Sequence, residues 1–189
     1  TLGEYHPGKP LLNTHRLALI EDPLYWPDGQ IRDEVYVYGS FIQSKMHQAG
    51  VACTNCHNPH SNQLVVEGNG VCAQCHLATT YDNTRHHRHQ IASAGTACVD
   101  CHMPSQVFMG VDARRDHSMR IPRPDLSLST GSPNACNQCH TGQSADWAYS
   151  AMVNWGVTFK DGRTHPARAF HAAGRGDVRA IPALIETAN

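Results

Sequence analysis

The chain has 189 residues, with 15 Lys and Arg against 16 Asp and Glu, and is 40% hydrophobic but only 7% aromatic. The near-cancelling charge leaves no basic field for nucleic acid and no acidic block for a cationic partner, which excludes nucleic-acid binding as a reading. One ordinary domain fits the length, but the apolar content is modest for a conventional core, so something besides side chains is expected to fill the interior.

In chain order, residues 1–34 are punctuated by Pro7, Pro10, Pro23 and Pro27, with turn signals at Asp22-Pro23 and Asp28-Gly29. That pattern predicts an extended arm with short ordered pieces, wrapped over the rest of the chain. Val35, Tyr38, Ile42 and Met46 recur at helical spacing and predict one helix over 34–49, ending at Gly50 and carrying His47 on its last turn. Residues 51–140 hold every Cys, about 22 residues for each Cys pair, too few for each pair to own a packed core. Asn58-Pro59, Gly68-Asn69-Gly70 and Ile121-Pro122-Arg123-Pro124 interrupt regular structure there. Ser144 to Trp155 reads as a helix with Trp147, Ala148, Ala151 and Trp155 facing inward, and 166–188 as two short helices that fit the first unit of a helical repeat.

The longest apolar runs, such as Leu17-Ala18-Leu19-Ile20, fall far short of the roughly 18–20 residues a bilayer-spanning helix needs, so a soluble chain is expected. No export signal is visible, and one expected from the chemistry below is taken to be removed or to lie outside this segment.

The chemistry is concentrated in four repeats of one spacing: Cys53-Thr-Asn-Cys56-His57, Cys72-Ala-Gln-Cys75-His76, Cys98-Val-Asp-Cys101-His102 and Cys136-Asn-Gln-Cys139-His140. Two thiols three positions apart can add to the two vinyl groups of one porphyrin, and the next imidazole then meets one face of its iron. A single Cys-x-x-Cys would equally suit a zinc ribbon or a redox disulfide. With 14 His in the chain, four pairs all followed by His would arise at random about 3 times in 100,000. Four haem c groups are therefore expected, on Cys53, Cys56, Cys72, Cys75, Cys98, Cys101, Cys136 and Cys139, with His57, His76, His102 and His140 as iron ligands. The Cys are then consumed by thioethers, not disulfides, and covalent attachment implies a periplasmic or extracellular protein.

A haem that only carries electrons needs a second axial ligand. Ten His lie outside the motifs. His60 follows His57 by three residues across a Pro turn, too close to reach the opposite face of the same porphyrin, so it is expected to serve a different haem. His47 and His117 are further candidates, and the cluster His86-His87-Arg88-His89 is expected to supply one ligand, His87 or His86 ahead of His89. His6, His15, His165 and His171 read as ordinary surface or packing residues. Met46, Met103, Met109, Met119 and Met152 read as soft packing against porphyrin. Arg85, Arg88, Arg114, Arg115, Arg120 and Arg123 read as partners for haem propionates, or equally as a solvated charge run.

The run Cys53-Thr-Asn-Cys56-His57-Asn-Pro-His60, then Cys98-Val-Asp-Cys101-His102-Met103-Pro104, Asp116-His117 and Cys136-Asn-Gln-Cys139-His140 resembles the haem-rich portion of multihaem cytochromes related to the pentahaem nitrite reductases, over about residues 36–150. The resemblance implies a distal-ligand role for His117, toward the Cys53/Cys56 haem. It also departs from that family, because no Cys pair here is followed by the Lys of the catalytic haem. The chain further resembles tetrahaem and larger relay cytochromes, some of which polymerise with a His lent to a neighbouring subunit.

The expected fold is mostly coil with short α-helices around a haem stack, organised as an arm (1–34), a tetrahaem domain (35–160) and a helical tail (161–189). The expected function is an electron relay through mainly bis-histidine haems, with redox partner proteins, other multihaem cytochromes among them. The rival is a reductase of a small nitrogen or sulfur oxyanion at a haem with an open distal side. Intact-mass measurement under denaturing conditions should exceed the 20.8 kDa bare chain by four haem masses, and a Cys139→Ser, Cys136→Ser double variant should lose one.

Overall fold

A computed structural model describes residues 2–159 and 165–188. Its elements are short helices joined by turns and one two-stranded antiparallel sheet. The run expected as one helix over 34–49 is two, Val37–Phe41 and Lys45–Gln48. Ser44 is the cause: it is extended and its side chain accepts the His47 N–H at 3.0 Å, a local bond that competes with continuing the first helix and caps the second. Gly50, at φ 88°, follows the end of the second helix, as the sequence suggested.

The sheet was not anticipated. Strand β1 (Ser105–Phe108) pairs with β2 (Asp112–Arg115), Phe108 opposite Asp112. Met109 and Gly110 reverse the chain at φ 50° and 75°, and Met at a position that favours Gly or Asn hides the turn from composition rules. The hairpin buries Phe108 against Tyr25 and Ile31, with Ile20, Leu24 and Val35 around them. Tyr25 and Ile31 face each other across a tight turn of the arm. The arm thus supplies a core of its own as well as covering one.

Another helix, Pro124–Thr130, also went unread, because Pro122 and Pro124 look like breakers. Pro124 sits in the first turn, where a missing N–H costs nothing, and Gly131 closes the other end at φ 77°. This helix buries Leu126 and packs on Ala145–Asn154 and Ala167–Gly174. The expected helix from Ser144 forms over Ala145–Asn154, with Ser144 as its cap, accepting the Trp147 N–H. Its inward stripe is Ala148 and Met152, whereas Trp147 and Trp155, expected inside, remain 36% and 38% exposed. Trp147 instead lies 4.8 Å from the His140 ring. The tail forms the two expected helices, Ala167–Gly174 and Ile181–Ala188, while the expected boundary at 160/161 falls outside the described residues. No helix among the described residues is long and apolar enough to cross a membrane.

Burial divides the chain sharply. From Lys45 through Met103 no residue is buried, and all ten buried hydrophobic residues lie outside that stretch. Leu64, Val65, Val66, Leu77, Tyr81 and Ile91 stand exposed within it. A polypeptide segment that folds without a side-chain core has its interior supplied by another group.

Two predictions follow from the C-terminal core. Leu126→Ala should destabilise the protein by about 2–5 kcal/mol in chemical denaturation, the usual cost of emptying a fully buried Leu site. His165 is held below the ordinary imidazole value, first by burial and then by Arg123, and its Nδ1 accepts the Ala167 N–H. The folded state therefore refuses a proton that the unfolded chain binds, so stability should fall as pH drops below about 6.5. Denaturation midpoints across that range should lose part of this slope in His165→Gln.

Candidate functional site

Each motif is built on a single helical turn. Cys53–Asn55, Gly70–Ala73, Cys98–His102 and Ala135–Cys139 are helical, which puts the two thiols of a motif on one face. The amides of His57, His76 and His140 bond back to the carbonyls of Cys53, Cys72 and Cys136 at 2.8–2.9 Å, fixing each imidazole beside its thiols. Side-chain caps start these turns: Asn55 Oδ1 accepts the Ala52 N–H, and Asn134 accepts that of Asn137.

The motifs adjoin in chain order. Gln74 donates to the Asn55 carbonyl at 3.3 Å, tying the first to the second. The Cys98 thiol meets that of Cys72, and Cys101 lies near Cys136 and Cys139. Burial is the main reason that the Cys98 and Cys101 thiols are each pushed up to about 11, with these neighbours adding to it. Cys56 is raised too, by burial and then by Cys72 and Cys75.

Three motif imidazoles face a second imidazole. His57 and His117 have ring centroids 6.3 Å apart, His102 and His86 6.0 Å, and His140 and His89 6.1 Å. A metal–imidazole bond is about 2 Å, so two imidazoles on opposite sides of one iron have centroids roughly 6 Å apart. The ring pairs are tilted by 34°, 16° and 31°, and side chains in direct contact would be closer. Four of these six rings have Nδ1 against a backbone carbonyl: His57 to Asn62 at 3.1 Å, His102 to Arg120 at 2.9 Å, His117 to Arg115 at 2.9 Å and His89 to His87 at 2.5 Å. A carbonyl only accepts, so Nδ1 carries the proton and Nε2 presents a lone pair, the tautomer of a metal ligand with its outer hydrogen bond in place. Burial and then the neighbouring His102 hold His86 below the ordinary imidazole value, keeping it neutral as a ligand must be.

The remaining candidates lie elsewhere. His87 Nδ1 accepts the His89 N–H at 3.1 Å, the opposite tautomer. His47 rests edge-on against Phe41, 5.2 Å between rings. His60 is exposed, its amide held by Asn58 Oδ1 at 2.9 Å. His76 meets the edge of Tyr81 at 5.7 Å, and Tyr81 in turn meets His86 at 5.4 Å. His89, ranked last of its cluster by sequence, is brought to His140 by Arg88, which takes a left-handed φ of 61° after the Thr84–His87 helix and redirects the chain. A lone left-handed Arg leaves no mark in sequence.

The arginines divide as well. Arg114 pairs with Glu34 and Asp112, Arg115 with Asp100, and Arg123 with Asp125. Arg85 instead lines an open cleft of about 360 Å³ with Thr79, Thr80, Asn83 and His86. The exposed apolar side chains of 45–103, the three imidazole gaps and this cleft all fit haem, which would be held by the motif thiols and imidazoles.

Residues 59–141 match the family model for cytochrome c7 and related cytochrome c. The chain therefore carries a cytochrome c7-type segment that holds three of its four Cys-x-x-Cys-His motifs. Its fold is similar to the crystal structure of the outer cell wall cytochrome OcwA, with a TM-score of 0.58 at 17% identity over 99% of this chain. The chain spans 58% of that protein's length. No curated protein matches it.

Proposed function

We propose that this cytochrome is an electron relay of four haems, each held between two imidazoles. The carrying observation is the three imidazole pairs 6.0–6.3 Å apart. They assign His57 with His117, His102 with His86, and His140 with His89. We assign His60 to His76, because the first two motifs adjoin through Gln74 and Cys56 and His60, three residues after His57, is too close to reach the opposite face of that motif's own haem.

Each haem, once attached, supplies a one-electron iron couple. The polypeptide's part is to hold the motifs side by side in chain order, keep each imidazole oriented, and insulate the stack with the arm and the C-terminal helices. Arg85, beside the cleft next to His86, is assigned to a haem propionate. Exported location and redox partner proteins, other multihaem cytochromes among them, follow from covalent haem and from the likeness to an outer cell wall cytochrome.

Low-temperature electron paramagnetic resonance of the oxidised holoprotein tests the ligation. Only low-spin signals, integrating to the haem content, are expected, and a stoichiometric high-spin signal overturns the paired assignment at one site. His89→Met should raise the potential of one haem, as a thioether ligand does, while His87→Met leaves all four unchanged. The reverse result would move the ligand from His89 to His87.

A further inference from the structure

We propose that Arg120 is a positioning residue for two haem sites at once, fixing the short segment whose carbonyls orient His117 and His102; the proposal rests on the axial assignments above. Residues 115–120 leave strand β2 and supply the Arg115 carbonyl to His117 Nδ1 and the Arg120 carbonyl to His102 Nδ1, each at 2.9 Å. Those two imidazoles belong to different sites. One stretch of backbone therefore sets the orientation, and through the hydrogen bond the basicity, of a ligand to each.

The segment needs an anchor, because Met119 sits at φ 47°, a conformation an L side chain adopts only when its surroundings impose it. The Arg120 side chain is that anchor. Its Nε donates to Ser118 Oγ at 2.7 Å, and its Nη1 donates to the Asp28 carbonyl at 2.8 Å. Its charge sits between the Asp28 carboxylate at 3.6 Å and Asp116 Oδ2 at 3.8 Å. Ser118 N–H closes the turn onto Asp116 Oδ1 at 2.8 Å, and the His117 N–H reaches Ser40 Oγ at 3.3 Å. Asp28 is presented by the arm's tight turn, where Gly29 has φ 89° and a Cβ would strike Gln43. Asp116 Oδ2 has no hydrogen-bond partner, so the guanidinium is what balances it. An arm more than eighty residues away in sequence is thereby tied to the ligands of two haems.

Proton exchange at the imidazole Nδ1 positions of the reduced, diamagnetic holoprotein, followed by nuclear magnetic resonance, reads this directly. Arg120→Met keeps the stem and removes the guanidinium. It should speed exchange at His102 and His117 by about tenfold, the loss of one ordinary hydrogen bond, and leave His57 and His89 within about twofold. Arg120→Lys keeps the charge without the fork and should give intermediate exchange at the same two protons. Equal change at all four, or none at His102 and His117 in either variant, overturns the proposal. In the parent, His117→Met and His86→Met should each alter one low-spin signal. If they do not, the axial assignments fail; if they do and the Nδ1 protons ignore Arg120, only the role of Arg120 fails.

Discussion

An imidazole that serves a metal needs its Nε2 lone pair aimed at a point about 2 Å away and its other nitrogen occupied, and on the proposed ligation much of this chain is organised to meet that demand. His57, His89, His102 and His117 each meet it in the same way, with Nδ1 against a backbone carbonyl. Backbone carbonyls are good acceptors for this purpose because the fold fixes them, so a ring so held has one orientation and one tautomer. The 6.0–6.3 Å separations of the ring pairs are the result.

That demand explains the uneven burial. Between Lys45 and Met103 the chain forms helical turns only three to five residues long, and buries no residue. Isolated helices of this length do not persist in water, so they depend on what they surround. The hydrophobic side chains that do bury are placed at the two flanks, in the Tyr25–Ile31–Phe108 cluster and around Leu126, Ala148, Met152 and Ala167. These two small cores act as buttresses for a middle that has none. The buried carboxylates Asp28 and Asp116 and the half-buried Arg120 belong to the first flank, where their mutual contacts offset the cost of desolvating them.

Electron relay requires neighbouring redox groups, and the contacts between motifs supply adjacency in chain order: Gln74 to Asn55, Cys72 to Cys98, Cys101 to Cys136. On the proposed ligation, ligands for adjacent sites also come from one segment of chain. His86 and His89, three residues apart, face His102 and His140, and residues 115–120 serve His117 and His102 together. A chain that shares supports between sites spends few residues per cofactor, which is how so short a polypeptide accommodates so many attachment motifs.

Motif chemistry was legible in the sequence because thioether attachment fixes the spacing of two thiols and the following imidazole, a covalent constraint that no fold can alter. The 145–154 helix and the two tail helices were also legible, since their periodicity and the Ser144 cap are local. The tertiary structure alone decided which outlying imidazole faces which motif: His89 meets His140 because Arg88 turns left-handed, while His87, its neighbour, accepts a backbone N–H and presents the wrong tautomer. It also decided that Trp147 leans on His140 rather than entering the core, that Met109-Gly110 reverses a strand, and that Arg120 faces Asp28 and Asp116. In each of these the outcome depends on a partner distant in the chain or on a single backbone dihedral, and neither leaves a periodic or compositional trace.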